Sequence, residues 1–234
     1  MQVILYEPDD AARSSLASSF CSGGLECYPA SREEIEGLVP VGRSDRSPGA
    51  SPAIILGVCP EARGIVATLR SGRCDSPIIA LQDGRSTERT LDLLMAGCDD
   101  VVQRPVSPRE LAARIAAIQR RAFGHAAASL TIGGMIVYFD GREPEIDGRP
   151  IRLSGRENAI FRHLALQSGK VVSKGSLYDA VYGASNRMPF DKVIEVHICK
   201  LRKKLAEASG GHDFIETVYG RGYKLVAPKG MAAA

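Results

Sequence analysis

The stretch Asp191-Lys-Val-Ile-Glu-Val-His-Ile-Cys-Lys-Leu-Arg-Lys-Lys-Leu-Ala-Glu-Ala208 decides how this chain is read. At 100° per residue, Ile194, Ile198, Leu201 and Leu205 fall on one narrow stripe, the pattern of a helix with a single core face. The opposite side collects Lys192, Val196, Cys199, Lys200 and Lys203, with Arg202 and Lys204 flanking, and Gly210-Gly211 ends the run. Alone, such a basic face would read as a solvated surface. Its neighbours change that reading. Upstream, Ser154 with Glu157 three residues on forms a capping box that opens a helix with Ala159, Ile160, Leu164 and Ala165 on its apolar face. Ser173–Val181 reads as a second, shorter helix. Downstream, residues 214–226 read as two strands around a Gly-Arg-Gly turn that carries Arg221 at its tip. A helix fits the ~12 Å major groove of DNA, and an arginine between glycines reaches a neighbouring narrow minor groove. Three helices, the last one basic, followed by a basic hairpin are the grammar of a winged helix-turn-helix, with double-stranded DNA as partner.

Outward from this core, residues 130–153 read as short alternating strands broken by Gly133-Gly134, Asp140-Gly141 and Asp147-Gly148, the last two being hairpin signals. Residues 122–129 carry no pattern and read as a linker. Before them the grammar differs. Gln2–Tyr6, Ser51–Cys59, Pro77–Leu81 and Val101-Val102 read as strands, the middle two as continuous buried runs. Between them, Ala11–Phe20, the segment with Ile65, Val66 and Leu69, and the segment with Leu91, Leu94 and Met95 fit helices. Arg109–Arg121 closes the region as an amphipathic helix with Leu111, Ile115 and Ile118 on one stripe. Pro40–Pro52 reads as a long surface loop. Alternating strands and helices predict an α/β doubly wound parallel sheet of flavodoxin-like type. The domains are then 1–121, a linker at 122–129, a winged helix-turn-helix domain at 130–228, and a tail at 229–234.

Charge agrees with this division. The net charge of +3 over 234 residues hides a split. Residues 1–121 hold 14 Lys+Arg against 16 Asp+Glu, whereas residues 122–234 hold 16 against 11. The first lysine in the chain is Lys170. A polyanion partner therefore belongs at the back. The six cysteines form no C-x-x-C and meet no paired histidines, so no metal or cofactor is expected, and reduced thiols fit the cytoplasm. No apolar run approaches the ~20 residues of a membrane span, and the start of the chain has no basic leader. The front has neither a Gly-rich phosphate loop nor a nucleophile–base pair, so an enzyme is not expected.

Leu153-Ser-Gly-Arg-Glu157, Val171-Val-Ser-Lys174, Val193–Leu205 and Thr217-Val-Tyr-Gly-Arg-Gly-Tyr223 resemble the effector domain of the OmpR/PhoB response-regulator family. The third helix is very similar to that of the CtrA-type cell-cycle regulators of alphaproteobacteria. Residues 76–121 and 135–148 resemble the flagellar FtcR/Rem type. The resemblance implies transcription regulation, with cell-cycle or flagellar genes as targets and RNA polymerase as a further partner. It implies that Lys192, Val193, Glu195, Val196, His197, Lys200, Arg202 and Lys203 face DNA, with Thr217, Tyr219 and Arg221 on the wing. Lys204 is expected to grip the DNA backbone, and His197 is read equally well as a packing residue.

Residues 1–121 resemble the family's receiver domain, and the departures are informative. Aspartyl phosphorylation needs a carboxylate nucleophile, an acidic metal pocket, a lysine on the acyl phosphate and a hydroxyl that senses it. Glu7 survives, but Pro8 stands where a metal-binding aspartate should follow. Gly57 stands at the nucleophile position, and no aspartate occurs between Asp45 and Asp75. Gln82 stands for the switch hydroxyl, Val101 for the switch aromatic and Arg104 for the lysine. The expectation is a pseudo-receiver that acts without phosphate; the alternative is a conventional phospho-regulator with a non-standard acceptor. The resemblance further implies a homodimer face with Asp99, Asp100, Glu110, Arg114 and Arg121 in charge pairs and Leu94 and Val106 as apolar contacts. Thr90 stands where an arginine usually pairs the Glu110 position.

Overall fold

A computed structural model describes residues 1–38, 52–182 and 190–228. The loop expected at Pro40–Pro52 and the tail at 229–234 lie, but for Pro52, outside the described residues. The chain divides into two compact units, Met1–Gln119 and Arg120 onward.

The first unit is a parallel five-stranded sheet. Its strands are β1 (Gln2–Tyr6), β2 (Glu26–Pro29), β3 (Ala53–Leu56), β4 (Ile78–Gln82) and β5 (Asp100–Gln103), in the order β2-β1-β3-β4-β5. That order is doubly wound, and the two-residue period of each strand shows why. Val3, Leu5, Ile55, Ile79 and Leu81 enter one core with Phe20 of α1 (Asp10–Ser22) and Leu111 and Ile115 of α5 (Pro108–Ala122). Ile4, Tyr6, Ile54, Leu56, Ile78 and Ala80 enter the other, beneath α2 (Arg32–Glu36), α3 (Ala62–Ser71) and α4 (Thr87–Met95). Ile35, Ile65, Val66, Leu69 and Leu93 complete that side. Strand β2 and helix α2 have no counterpart in the sequence reading. Helix α4 forms as expected, yet it turns the expected residues outward: Leu93 is its buried contact, whereas Leu91, Leu94 and Met95 are exposed, Met95 by 85%.

The second unit begins with an antiparallel sheet of β6 (Ser129–Ile132), β7 (Met135–Tyr138), β8 (Glu145–Ile146) and β9 (Arg149–Pro150). One of its turns differs from the sequence reading. Asp147-Gly148 is a two-residue turn with positive φ at both positions, as expected. Asp140-Gly141 lies instead in the wider connection from Tyr138 to Glu145, and Gly133-Gly134 makes the other tight turn, with φ of 51° and 79°. Residues 122–129, read as a linker, carry contacts within this unit. Phe123 packs on its core and edge-on to His163, and His125 Nε2 lies 2.8 Å from the Leu166 carbonyl.

Three helices follow: α6 (Gly155–Leu166), α7 (Lys174–Tyr182) and α8 (Phe190–Ser209), then the hairpin β10 (Ile215–Val218) and β11 (Gly222–Leu225). Ser154 and Glu157 make the expected reciprocal capping box on α6. The core unites Ile160, Phe161 and Leu164 with Leu177, Tyr178 and Val181, and both with the stripe Ile194, Ile198, Leu201 and Leu205. His163 is buried at the α6–α7 contact, where its Nε2 meets Ser176 Oγ at 2.8 Å and Gln167 Nε2 at 3.0 Å. Burial, with some help from Arg162, lowers its pKa to about 4.

Candidate functional site

The stripe residues of α8 are buried, and this fixes which face the helix shows to solvent. Lys192, Glu195, Val196, Cys199, Lys200 and Lys203 are exposed on it, and Val193 and His197 are half-buried at its edge. The hairpin projects Tyr219, 93% exposed, and Arg221 from its turn. Two glycines permit this. Gly220 takes a φ of 71°, and Gly222, at 141°, lies so close to the α6–α7 connection that a Cβ would sit 2.0 Å from the Val172 carbonyl oxygen. That approach lets Val172 and Tyr223 exchange backbone hydrogen bonds at 2.8 and 2.9 Å, which brace the wing.

Not every cation assigned to DNA stays free for it. Arg202 turns to the base of the wing: its guanidinium donates to the Ile215 carbonyl at 2.6 and 3.0 Å and to Thr217 Oγ1 at 2.7 Å, near Asp213 and the Tyr223 ring. Arg202 and Thr217 therefore fasten helix to hairpin. Lys204 donates to Glu157 at 2.7 Å and to the Arg152 carbonyl at 3.0 Å, which ties α8 to the α6 capping box. Burial opposes ionisation of Glu157, but Lys204 and the capping hydrogen bonds outweigh it, and its pKa is lowered. Both departures have one cause. Each residue lies at the border of the buried stripe, from which a long side chain swings inward to a carbonyl or carboxylate. Glu195 accepts from Lys174 Nζ of α7 at 2.7 Å, which offsets its negative charge on a basic face. His197 serves packing as well as surface: Nε2 is 3.4 Å from Tyr182 Oη, Nδ1 is buried without a partner, and burial, then Arg156 and Lys200, lowers its pKa. Arg156 and Lys174 were not singled out in the sequence; both stand near α8 only once the three helices pack.

In the first unit, three of the residues expected at the phosphorylation site, Glu7, Gly57 and Arg104, meet at the carboxyl ends of β1, β3 and β5. Parallel pairing puts Tyr6 opposite Leu56, so Glu7 and Gly57 are neighbours across the sheet. The Glu7 side chain, 2% exposed, lies over Gly57: a Cβ on residue 57 would stand 2.2 Å from Glu7 Oε2. The same oxygen accepts from the Val58 N–H at 3.1 Å and lies 3.5 Å from Arg104, and Oε1 accepts from the Asp9 N–H at 3.3 Å. Arg104 makes its closer pair with Asp83, at 2.6 and 2.8 Å, and this hydrogen-bonded pairing lowers the Asp83 pKa. Gln82 is buried, with Oε1 3.3 Å from Thr90 Oγ1, and Val101 packs beside the core under α3 and α4. Pro8 is exposed; Asp9 caps α1, and Asp10 pairs with Arg13.

The residues expected on a dimer face divide. Leu94 is exposed and Val106 half-buried. Arg114 pairs with both Asp100 and Glu110 at 2.8 Å, and Arg121 is exposed at the end of α5. Asp99 is used within the unit. It accepts from Arg70 at 2.6 Å and from the Ile78 N–H at 2.7 Å, and Arg70 itself reaches the carbonyls of Gly97 and Ser76.

Comparison with known proteins gives the family. Residues 148–225 match the family described as "Transcriptional regulatory protein, C terminal". The cell cycle response regulators CtrA of Brucella anthropi and Brucella ovis are each 35% identical to this chain over 231 residues, covering 97% of it and 97% of the relative. Among solved structures, the DNA binding domain of CpxR from E. coli is 33% identical, covering 44% of this chain and 99% of its own, with a TM-score of 0.38. At that identity to full-length relatives, the chain belongs to the OmpR/PhoB-type response regulators that carry a C-terminal transcriptional regulatory domain.

Proposed function

We propose that this chain is a sequence-specific, DNA-binding transcriptional regulator whose receiver-like domain acts without aspartyl phosphorylation. DNA recognition uses the exposed face of α8 in the major groove, through Lys192, Val193, Val196, Lys200 and Lys203, and the wing residues Tyr219 and Arg221 beside it. Arg202, Thr217 and Lys204 hold this surface in shape. The family membership and the solvent-facing basic stripe support this part of the reading.

One observation carries the phosphorylation independence: the Glu7 carboxylate fills the place of a side chain on residue 57. A nucleophilic aspartate is missing from Gly57, and its space is taken by a carboxylate already bound by two backbone N–H groups and facing Arg104. Incubation with acetyl phosphate and Mg²⁺ should leave the intact mass and the DNA affinity unchanged; an acid-labile phosphate on the protein would overturn this and favour the non-standard acceptor. The regulator works as a homodimer through its first domain, a reading supported by the exposed Leu91, Leu94 and Met95 of α4 and by the Arg114 charge cluster. Exposed ion pairs contribute only about 0–1 kcal/mol each, so the apolar residues supply most of the association. Cell-cycle or flagellar genes are its targets, in line with the relatives named as cell cycle response regulators.

A further inference from the structure

Beside α8, three helices bring a second cationic group to the edge of the proposed DNA face. Arg156, exposed in the first turn of α6, lies with its guanidinium 5.3 Å from the centre of the Tyr182 ring at the end of α7. Tyr182 in turn reaches His197 on α8, and both Arg156 and Lys200 act electrostatically on that histidine. Arg156 and Lys200 thus flank one point, the half-buried His197, from two different helices. Neither has an ion-pair partner among the described residues. The carboxylate next to Arg156 in sequence, Glu157, is taken by Lys204 and Ser154.

The scale of DNA gives this placement a meaning. An α-helix with its side chains is about 10–12 Å across, and the major groove is about 12 Å wide, so an inserted helix fills it from wall to wall. The phosphates of the groove wall then lie level with the flank of the helix, where elements packed against it meet them. His197 is on the α6–α7 flank of α8, and Arg156 stands just beyond it. The Tyr182 ring beneath the guanidinium restricts its rotamers, so little freedom is lost on contact, and the charge stays directed outward.

We propose that Arg156 is a DNA-backbone contact, a phosphate anchor supplied by the first helix of the winged domain and seated on Tyr182. It positions the complex and carries no base specificity. The proposal rests on the DNA-binding reading above and is tested apart from it. Binding of the full-length chain is measured by fluorescence anisotropy between 50 and 200 mM KCl. Two 30-bp duplexes serve as probes, one of random sequence and one selected from a random pool by the wild-type protein. Arg156→Ala should weaken both duplexes by similar factors at low salt and should reduce the slope of log K against log[salt] by about 0.9, the value for one phosphate. The advantage of wild type over the variant then shrinks about 3.5-fold across that salt range. Arg156→Lys, which keeps the charge but not the stacking plane, should retain the wild-type slope. A wild-type slope for Arg156→Ala on both duplexes overturns the proposal. A loss confined to the selected duplex also overturns it, because that is base readout. If wild type itself binds neither duplex, the DNA-binding reading fails instead.

Discussion

The two units treat their charged residues in opposite ways. In the first, the charges at the strand ends are consumed internally: Glu7 is buried against Gly57, Arg104 is clasped by Asp83, and Asp99 is held by Arg70. In the second, Lys192, Lys200, Lys203 and Arg221 stand exposed on one helix and one turn. Two cations that look equivalent in sequence, Arg202 and Lys204, are spent on keeping that surface rigid. Charges that satisfy one another add little long-range field, whereas an exposed face with an excess of positive charge attracts a polyanion. The contrast teaches that the charges at the strand ends are set apart from the apolar core of the sheet, which lies between them.

The largest expected effect tests the rigidity of the DNA face. Gly222→Ala places a Cβ against the Val172 carbonyl at a φ of 141°, and should cost about 3–4 kcal/mol locally. Hydrogen exchange should speed in β10 and β11 and DNA affinity should collapse, while the first unit keeps its exchange pattern. Next comes pH. His163 has a folded pKa of about 4 against an ordinary 6.5, so the unfolded chain binds its proton first on acidification. Stability is therefore full above about pH 6.5 and falls by about 3 kcal/mol as pH drops towards 4. Glu157, whose pKa is lowered in the fold, shifts stability in the same direction at still lower pH. Acid-dependent exchange should thus open α6 and α7 first; protection that persists there down to pH 4 would contradict the buried neutral imidazole.

Smaller effects compare individual residues. Gly57→Asp drives a side chain into Glu7 and should destabilise the first unit by about 1–3 kcal/mol without gaining phosphate from acetyl phosphate and Mg²⁺. Adding Glu7→Ala should return most of the lost stability, read by thermal denaturation. Lys200→Ala and Lys204→Ala separate surface from strut. The first should leave stability unchanged and reduce discrimination between DNA sequences by about 1–3 kcal/mol, if Lys200 meets a base edge. The second should cost about 1–2 kcal/mol of stability, because Glu157 is left nearly buried with its capping hydrogen bond but without its cation. Equal effects of the two on stability would erase the distinction.

The legible part of the fold was the part written as periodicity and apolar runs. The buried stripe of α8 follows from the 3.6-residue period, β1, β3 and β4 follow from short continuous apolar runs, and the Gly-Arg-Gly turn announced the wing. Strand β2 was hidden because Glu26-Cys-Tyr-Pro29 is a short edge strand, parallel to β1 and largely exposed, so nothing forces an apolar run. Helix α4 misled because, of its four large apolar residues, Leu93 alone is buried while Leu91, Leu94 and Met95 are exposed. The bonds that Arg202 and Lys204 make within the domain were not legible because helical angle fixes a Cβ, not the end of a long, flexible side chain. The empty position at Gly57 could be read from sequence. That Glu7 fills it could not, since only the strand register makes the two neighbours.

That contact between Glu7 and Gly57 also couples the two positions as sites of substitution. An aspartate placed at residue 57 meets a carboxylate already in residence. Replacing Glu7 first leaves Gly57 with a vacant, useless hollow. The two positions therefore behave as one volume, in which a larger side chain at either is tolerated only as the other gives way.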